Sequence, residues 1–168
     1  MDKEKQNEVR KLSNELTYRR YLMNKGKMSE LFQKLTIPEY VALQNIAVES
    51  EKDTIYGGRI YLKDLADKME LTIRQTSNMI AGLRDRGLVY WSHDGNGSDG
   101  TYVTITDIGR QNLYEQEDIL KDFYGRVIEK YGKQNLIELL RLMKQLDTVM
   151  NGEMEVMNDN DREKGMDI

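Results

Sequence analysis

The chain has 168 residues, enough for one domain with a core of its own. It contains no cysteine and one histidine, which excludes disulfides, thiolate metal sites and cysteine catalysis, and leaves zinc to carboxylates. Its net charge of −4 is uneven: six acids against two bases lie after residue 150, so the rest of the chain is neutral overall, which permits nucleic-acid binding through a local patch. The N-terminal MDKEKQNEVRKL lacks the apolar stretch of a signal peptide, and no apolar run approaches a membrane span. The expectation is a soluble cytoplasmic protein with no membrane partner, metal or cofactor.

Residues 4–24 lack glycine and proline, and Val9, Leu12, Leu16, Tyr18 and Leu22 recur at helical spacing. Gly26 interrupts, and 28–35 reads as a second, short helix. Thr36-Ile37-Pro38-Glu39 is a capping box with an early proline, opening a helix whose apolar face includes Tyr40, Val41, Leu43, Ile46, Ala47 and Val48. The polar stretch 50–58 reads as a loop. Leu62, Leu65, Ala66 and Met69 mark a helix of about two turns. Glu70-Leu71-Thr72 is a turn, with Thr72 capping a helix that buries Thr76, Met79, Ile80 and Leu83 and stops at Gly87. Two β-branched and aromatic runs, 88–91 and 101–105, flank WSHDGNGSDGTY (91–102) and pair as a hairpin. A long helix follows from Thr106-Asp107 to about 131. After Gly132 another runs from 133 to about 150, and an acidic, disordered tail is expected at 151–168.

The hairpin tip imitates two binding motifs. Gly95-x-Gly97-x-x-Gly100 has glycine-fingerprint spacing, but strands lie on both sides where a dinucleotide site needs a strand and then a helix. Asp94, Asn96 and Ser98 fit the first ligands of a calcium loop. Its sixth position is Asp99 where glycine is required, and its twelfth is Ile105 where a glutamate is required. Turn geometry accounts for these residues. No set of residues looks catalytic, and His93 sits on the tip without a visible partner.

Helix, short helix, turn, helix and hairpin is the order of a winged helix-turn-helix. The segments LTIPEYVAL (35–43), YLKDLADKM (61–69), LRDRGLV (83–89) and VTITDIGR (103–110) resemble the multiple-antibiotic-resistance regulator (MarR) family, over residues 9–150. The fold class implied is mainly α with a small β-hairpin wing: a winged helix-turn-helix with N- and C-terminal dimerisation helices. It divides into N-terminal dimerisation helices at 1–35, a DNA-binding domain at 36–109, C-terminal dimerisation helices at 110–150 and the acidic tail. The resemblance implies a homodimeric transcriptional regulator that binds double-stranded DNA, often under control of a small anionic or phenolic effector. The residues independently support dimerisation. Leu136, Ile137, Leu139, Leu140, Leu142, Met143 and Leu146 make the last helix nearly apolar all round, as an obligate interface requires.

With the helix at about 72–86 in the major groove, Arg74, Gln75 and Asn78 are its base readers, with Ser77 at the margin and Thr72 at the cap. Arg59, Lys63, Arg84 and Arg86 are candidate phosphate contacts. The wing, through His93, Asn96 and Ser98, departs from the family pattern because no arginine stands near its tip. Asp94 and Asp99 there would repel phosphate. The alternative reading is a winged-helix protein-interaction module with weak or lost DNA binding.

Overall fold

The computed structural model describes residues 2–52 and 58–165, with side chains described to Arg162; the expected loop at 50–58 lies partly outside these residues, as do the final three positions. The order is α1 (Lys3–Lys25), α2 (Ile37–Ser50), β1 (Ile60–Tyr61), α3 (Leu62–Met69), α4 (Ile73–Asp85), β2 (Val89–His93), β3 (Thr101–Ile105), α5 (Asp107–Tyr131) and α6 (Lys133–Gly165). The chain divides into two compact units, residues 1–120 and 121–168.

In the first unit α2, α3 and α4 enclose a core with the wing and the start of α5. Leu43 and Ile46 from α2, Leu65 from α3, Ile80 and Leu83 from α4, and Val103 from β3 are all fully buried. Each contributes roughly 1.5–3 kcal/mol by leaving water. The Thr36–Glu39 box is formed at the head of α2, with the Thr36 N–H donating to the Glu39 carboxylate at 2.9 Å. Val48, expected on the buried face, is exposed, and Ala42 takes its place in the core. The expected helix at 28–35 is only a 3-10 turn over Lys27–Leu31, followed by extended chain at Phe32.

The wing is a three-stranded antiparallel sheet in the order β1-β3-β2, where the sequence reading has two strands. Val103 is its centre, facing Ile60 on one side and Trp91 on the other. The two-residue β1 is shorter than any alternation pattern can reveal.

In the second unit Gly132, at φ +97, turns the chain between α5 and α6, and Asn135 caps α5 by donating to the Tyr131 carbonyl at 2.8 Å. The tail expected to be disordered is helical through Gly165. Residues 151–165 contain no proline, and Met150, Met154 and Met157 extend the spacing of Leu139, Met143 and Leu146. The acidic composition hid a helical period carried by its methionines.

Candidate nucleic-acid interface

The α3–α4 corner is set by local chemistry. Glu70 takes a left-handed conformation (φ 52) to end α3, and the Leu71 N–H returns to the Ala66 carbonyl at 3.0 Å. Thr72 then starts α4 with a second capping box. Its hydroxyl accepts from the Gln75 N–H at 3.1 Å, and its own N–H donates to Gln75 Oε1 at 3.0 Å.

Thr76, Ile80 and Leu83 of α4 are buried, with Met79 half-buried beside them. The opposite face exposes Thr72, Ile73, Arg74, Gln75 and Asn78, with Ser77 at the margin. Arg74 has no hydrogen bond or ion pair among the described residues. Its five donors are therefore available to an external acceptor. Gln75 is different: its carbonyl is shared with the cap, so its outward capacity is chiefly the Nε2 donor pair. The Thr72-x-x-Gln75 spacing is the same capping signature as Thr36-x-x-Glu39, although the sequence reading took only Thr72 as a cap.

The four candidate phosphate cations separate into distinct environments. Lys63 is exposed on the first turn of α3 with no partner among the described residues. Arg84 bonds Asp85 at 3.2 Å and lies 5.4 Å from the Trp91 ring centre. Arg86 instead ties the fold together, donating to Glu39 at 2.7 Å and to the Lys34 carbonyl at 3.2 Å. Partial burial pushes the Glu39 carboxyl upward, but bonds from the Thr36 N–H and Arg86 outweigh it and hold the group below the usual carboxylate range. Arg59 precedes β1 and lies over the Tyr102 ring at 4.3 Å and near Tyr61 at 5.3 Å. A strand invisible to sequence patterning thus brings a cation to the wing.

The wing tip is held by its own side chains. Asp94 accepts from the Asn96 N–H at 2.9 Å and from the Tyr61 hydroxyl at 2.9 Å. These two bonds, the amide first, keep its carboxyl below the usual range, and the bond to Asp94 raises the Tyr61 hydroxyl in turn. His93 Nδ1 accepts from the Gly95 N–H at 2.8 Å, while Nε2 lies 2.5 Å from the Gly97 carbonyl. Gly95 (φ +90) and Gly97 (φ +62) supply the left-handed turns. A Cβ on Gly100 would sit 2.3 Å from Asp94 Oδ1, so this glycine admits the aspartate. Asp94 and His93 are committed to the tip itself, whereas Asn96 and Ser98 are exposed on it.

Thr106 couples the wing, α4 and α5. Its hydroxyl donates to the Gly87 carbonyl at 2.7 Å and accepts from the Gly109 N–H at 2.9 Å. Beside it lies an open cleft of about 550 Å³ lined by Arg84, Tyr90, Trp91, Thr106 and Ile108 among others. Among the described residues no helix is long and apolar enough to cross a membrane, and no cluster of three or more potential metal ligands occurs.

No protein-family model and no curated protein sequence matches this chain. Solved structures do. An E. coli MarR mutant complexed with operator DNA is similar with a TM-score of 0.63 at 16% identity, over 78% of this chain and 92% of that one. A MarR-family transcriptional regulator from Rhodococcus sp. RHA1 gives 0.63 at 19% identity, over 78% and 89%. Bordetella bronchiseptica BpsR, described as regulated in DNA binding by 6-hydroxynicotinic acid, gives 0.62 at 19% identity, over 80% and 91%. Structural neighbours across most of the chain are thus MarR-family transcriptional regulators, and the chain has their winged helix-turn-helix fold.

Proposed function

We propose that the protein is a homodimeric, sequence-specific DNA-binding transcriptional regulator that places α4 in the major groove. The observation that carries this reading is the exposed N-terminal face of α4. Arg74, Gln75 and Asn78 project from a helix anchored on a buried core, with Arg74 unengaged by the other described residues. Arginine suits the O6 and N7 acceptors of guanine, asparagine the donor–acceptor pair of adenine, and the Gln75 amine an acceptor on a base edge. Lys63, Arg84 and Arg59 serve as phosphate contacts, with Thr72 and Ser77 as lesser hydrogen-bond donors. Arg86 is assigned to the fold. At the wing, Arg59 takes the part of the absent tip arginine, and Asn96 and Ser98 offer polar contacts.

Dimerisation rests on apolar surface that the single chain leaves uncovered. Val9, Leu12 and Met23 of α1 are at least half exposed, and Leu140 and Val149 of α6 equally so. Rows of exposed apolar side chains on a helix mark an interface. Small-ligand control attaches to the cleft at Arg84 and Trp91, where a guanidinium, an indole and the exposed Tyr90 suit an aromatic anion. Trp91 is the only tryptophan in the chain, so its fluorescence reports that site directly.

The test is fluorescence anisotropy with random duplex DNA at low salt, for the wild type and Arg74→Ala. Binding that weakens roughly 5- to 100-fold in the variant supports the reading, as loss of about 1–3 kcal/mol per base contact requires. Absence of binding, or an indifferent variant, favours a winged-helix protein-interaction module.

A further inference from the structure

The row of α4 that enters the core runs Ile73, Thr76, Ile80 and Leu83, in steps that keep to one side of a helix. Its last three members are fully buried, whereas Ile73 is 53% exposed. The row therefore runs past the end of the core and leaves one aliphatic side chain on the first turn, between Thr72 and Arg74. Single exposed aliphatics are ordinary at a protein surface, and Val48 and Ile108 are as exposed. Ile73 differs in its place, on the same turn as the side chains assigned to base edges. Its position is also fixed. The capping bonds between Thr72 and Gln75 hold the backbone on either side of it, and the Thr76 hydroxyl donates to the Thr72 carbonyl at 2.9 Å. A β-branched side chain in a helix has one strongly preferred rotamer, so little freedom is lost on contact.

We infer that Ile73 reads the 5-methyl group of a thymine in the major groove, adding an apolar contact to the polar readout of Arg74, Gln75 and Asn78. The inference rests on the proposal that α4 lies in that groove. Of the four bases only thymine carries a methyl there, and a side chain without donors or acceptors recognises it by contact alone. Set against the amino group of a cytosine, the same side chain would strip water from a donor and return no hydrogen bond. Adjacent Cα atoms lie about 3.8 Å apart and successive base pairs about 3.4 Å apart, which places this thymine within about two base pairs of the guanine assigned to Arg74. Loss of one buried methyl corresponds to about a fourfold loss of affinity, and to roughly fifteenfold when both half-sites of a dimer lose it.

The experiment is fluorescence anisotropy at constant low salt with a duplex recovered by selection from random-sequence DNA. Each half-site thymine is replaced in turn, in both half-sites together, by deoxyuridine, which lacks only the 5-methyl group. Wild type and Ile73→Ala are compared on every duplex, and the wild-type series changes no residue of the protein. One thymine, within about two base pairs of the guanine at which Arg74→Ala loses its preference, should stand out. There deoxyuridine is expected to weaken wild type roughly fifteenfold and Ile73→Ala less than about twofold. A selected site with no such thymine, a wild type indifferent to every deoxyuridine, or an equal loss in Ile73→Ala would overturn the inference, while sequence-selective binding that depends on Arg74 would leave the α4 reading standing. A wild type that selects no sequence would overturn both.

Discussion

Replacing Gln75 with glutamate separates the capping contact that this side chain makes from the base-reading role proposed for it. Inside the chain, Gln75 Oε1 accepts from the Thr72 N–H at 3.0 Å and closes the capping box of α4. A carboxylate does this equally well, and its charge on the first turn interacts favourably with the helix dipole by about 0.3–1 kcal/mol at an exposed site. The folding free energy of Gln75→Glu should therefore lie within about 0.5 kcal/mol of wild type, on the stabilising side. Thr72→Ala, which removes the acceptor for the Gln75 N–H, should cost about 1 kcal/mol. Outside the chain the order reverses. Glutamate loses the Nε2 donors and turns a negative charge toward the DNA, so affinity should fall at least tenfold, in line with about 1–3 kcal/mol for a base contact. Urea melts followed by circular dichroism give the first quantity and anisotropy with duplex DNA the second. If Gln75→Glu destabilised the fold as much as Thr72→Ala, the capping geometry would be wrong. If it bound DNA like wild type, the N-terminus of α4 would not be the reading face.

Arg86→Ala should lower stability by on the order of 1 kcal/mol, because both ends of the Arg86–Glu39 pair are partly solvated, and should leave DNA affinity within about twofold. The Glu39 carboxyl is held low in the folded state, so its stabilisation is present above the ordinary value of about 4.3 and fades as pH falls through the lowered one. Arg86→Ala should accordingly flatten the acid limb of a stability–pH curve, and an unchanged limb would refute the coupling. Tyr61→Phe removes one of the two bonds holding Asp94 low, so the Asp94 titration followed by NMR should move upward toward about 3.9. A titration that stayed in place would remove Tyr61 from the account of the tip. With Arg59, Lys63 and Arg84 as the phosphate cations of each subunit, the logarithm of affinity against that of salt should fall with a slope of about −5 per dimer. A slope near −9 would mean that cations outside this set meet the backbone.

Much of the fold was legible because its signals are local. Thr36 and Glu39 stand at capping spacing, Gly87 stops α4 with φ +73, and Thr76, Ile80 and Leu83 recur on one helical face. The tip glycines read as turns, and Gly95 and Gly97 both adopt positive φ. What escaped depends on partners distant in sequence. Arg86 reaches Glu39 across 47 positions, and Tyr61 reaches Asp94 across 33. Neither pairing leaves a pattern in a single chain. The strand β1 takes its identity from pairing with β3 rather than from its own two residues. The wing changed most: with no arginine near the tip the sequence offered His93 as its only cation, whereas the fold lays Arg59 over Tyr102 on the wing sheet. The helical end of α6 was hidden for the opposite reason, since its acids outweighed a period that continues in its methionines.

The most direct test of the central claim is selection from sheared genomic DNA by the purified protein, followed by sequencing, in parallel with Arg74→Ala. The account predicts enrichment of a discrete set of sites with two half-sites related by symmetry, and loss of preference at a guanine in each half-site with the variant. Recovery of fragments at their input frequencies, or an identical preference with Arg74→Ala, would contradict it.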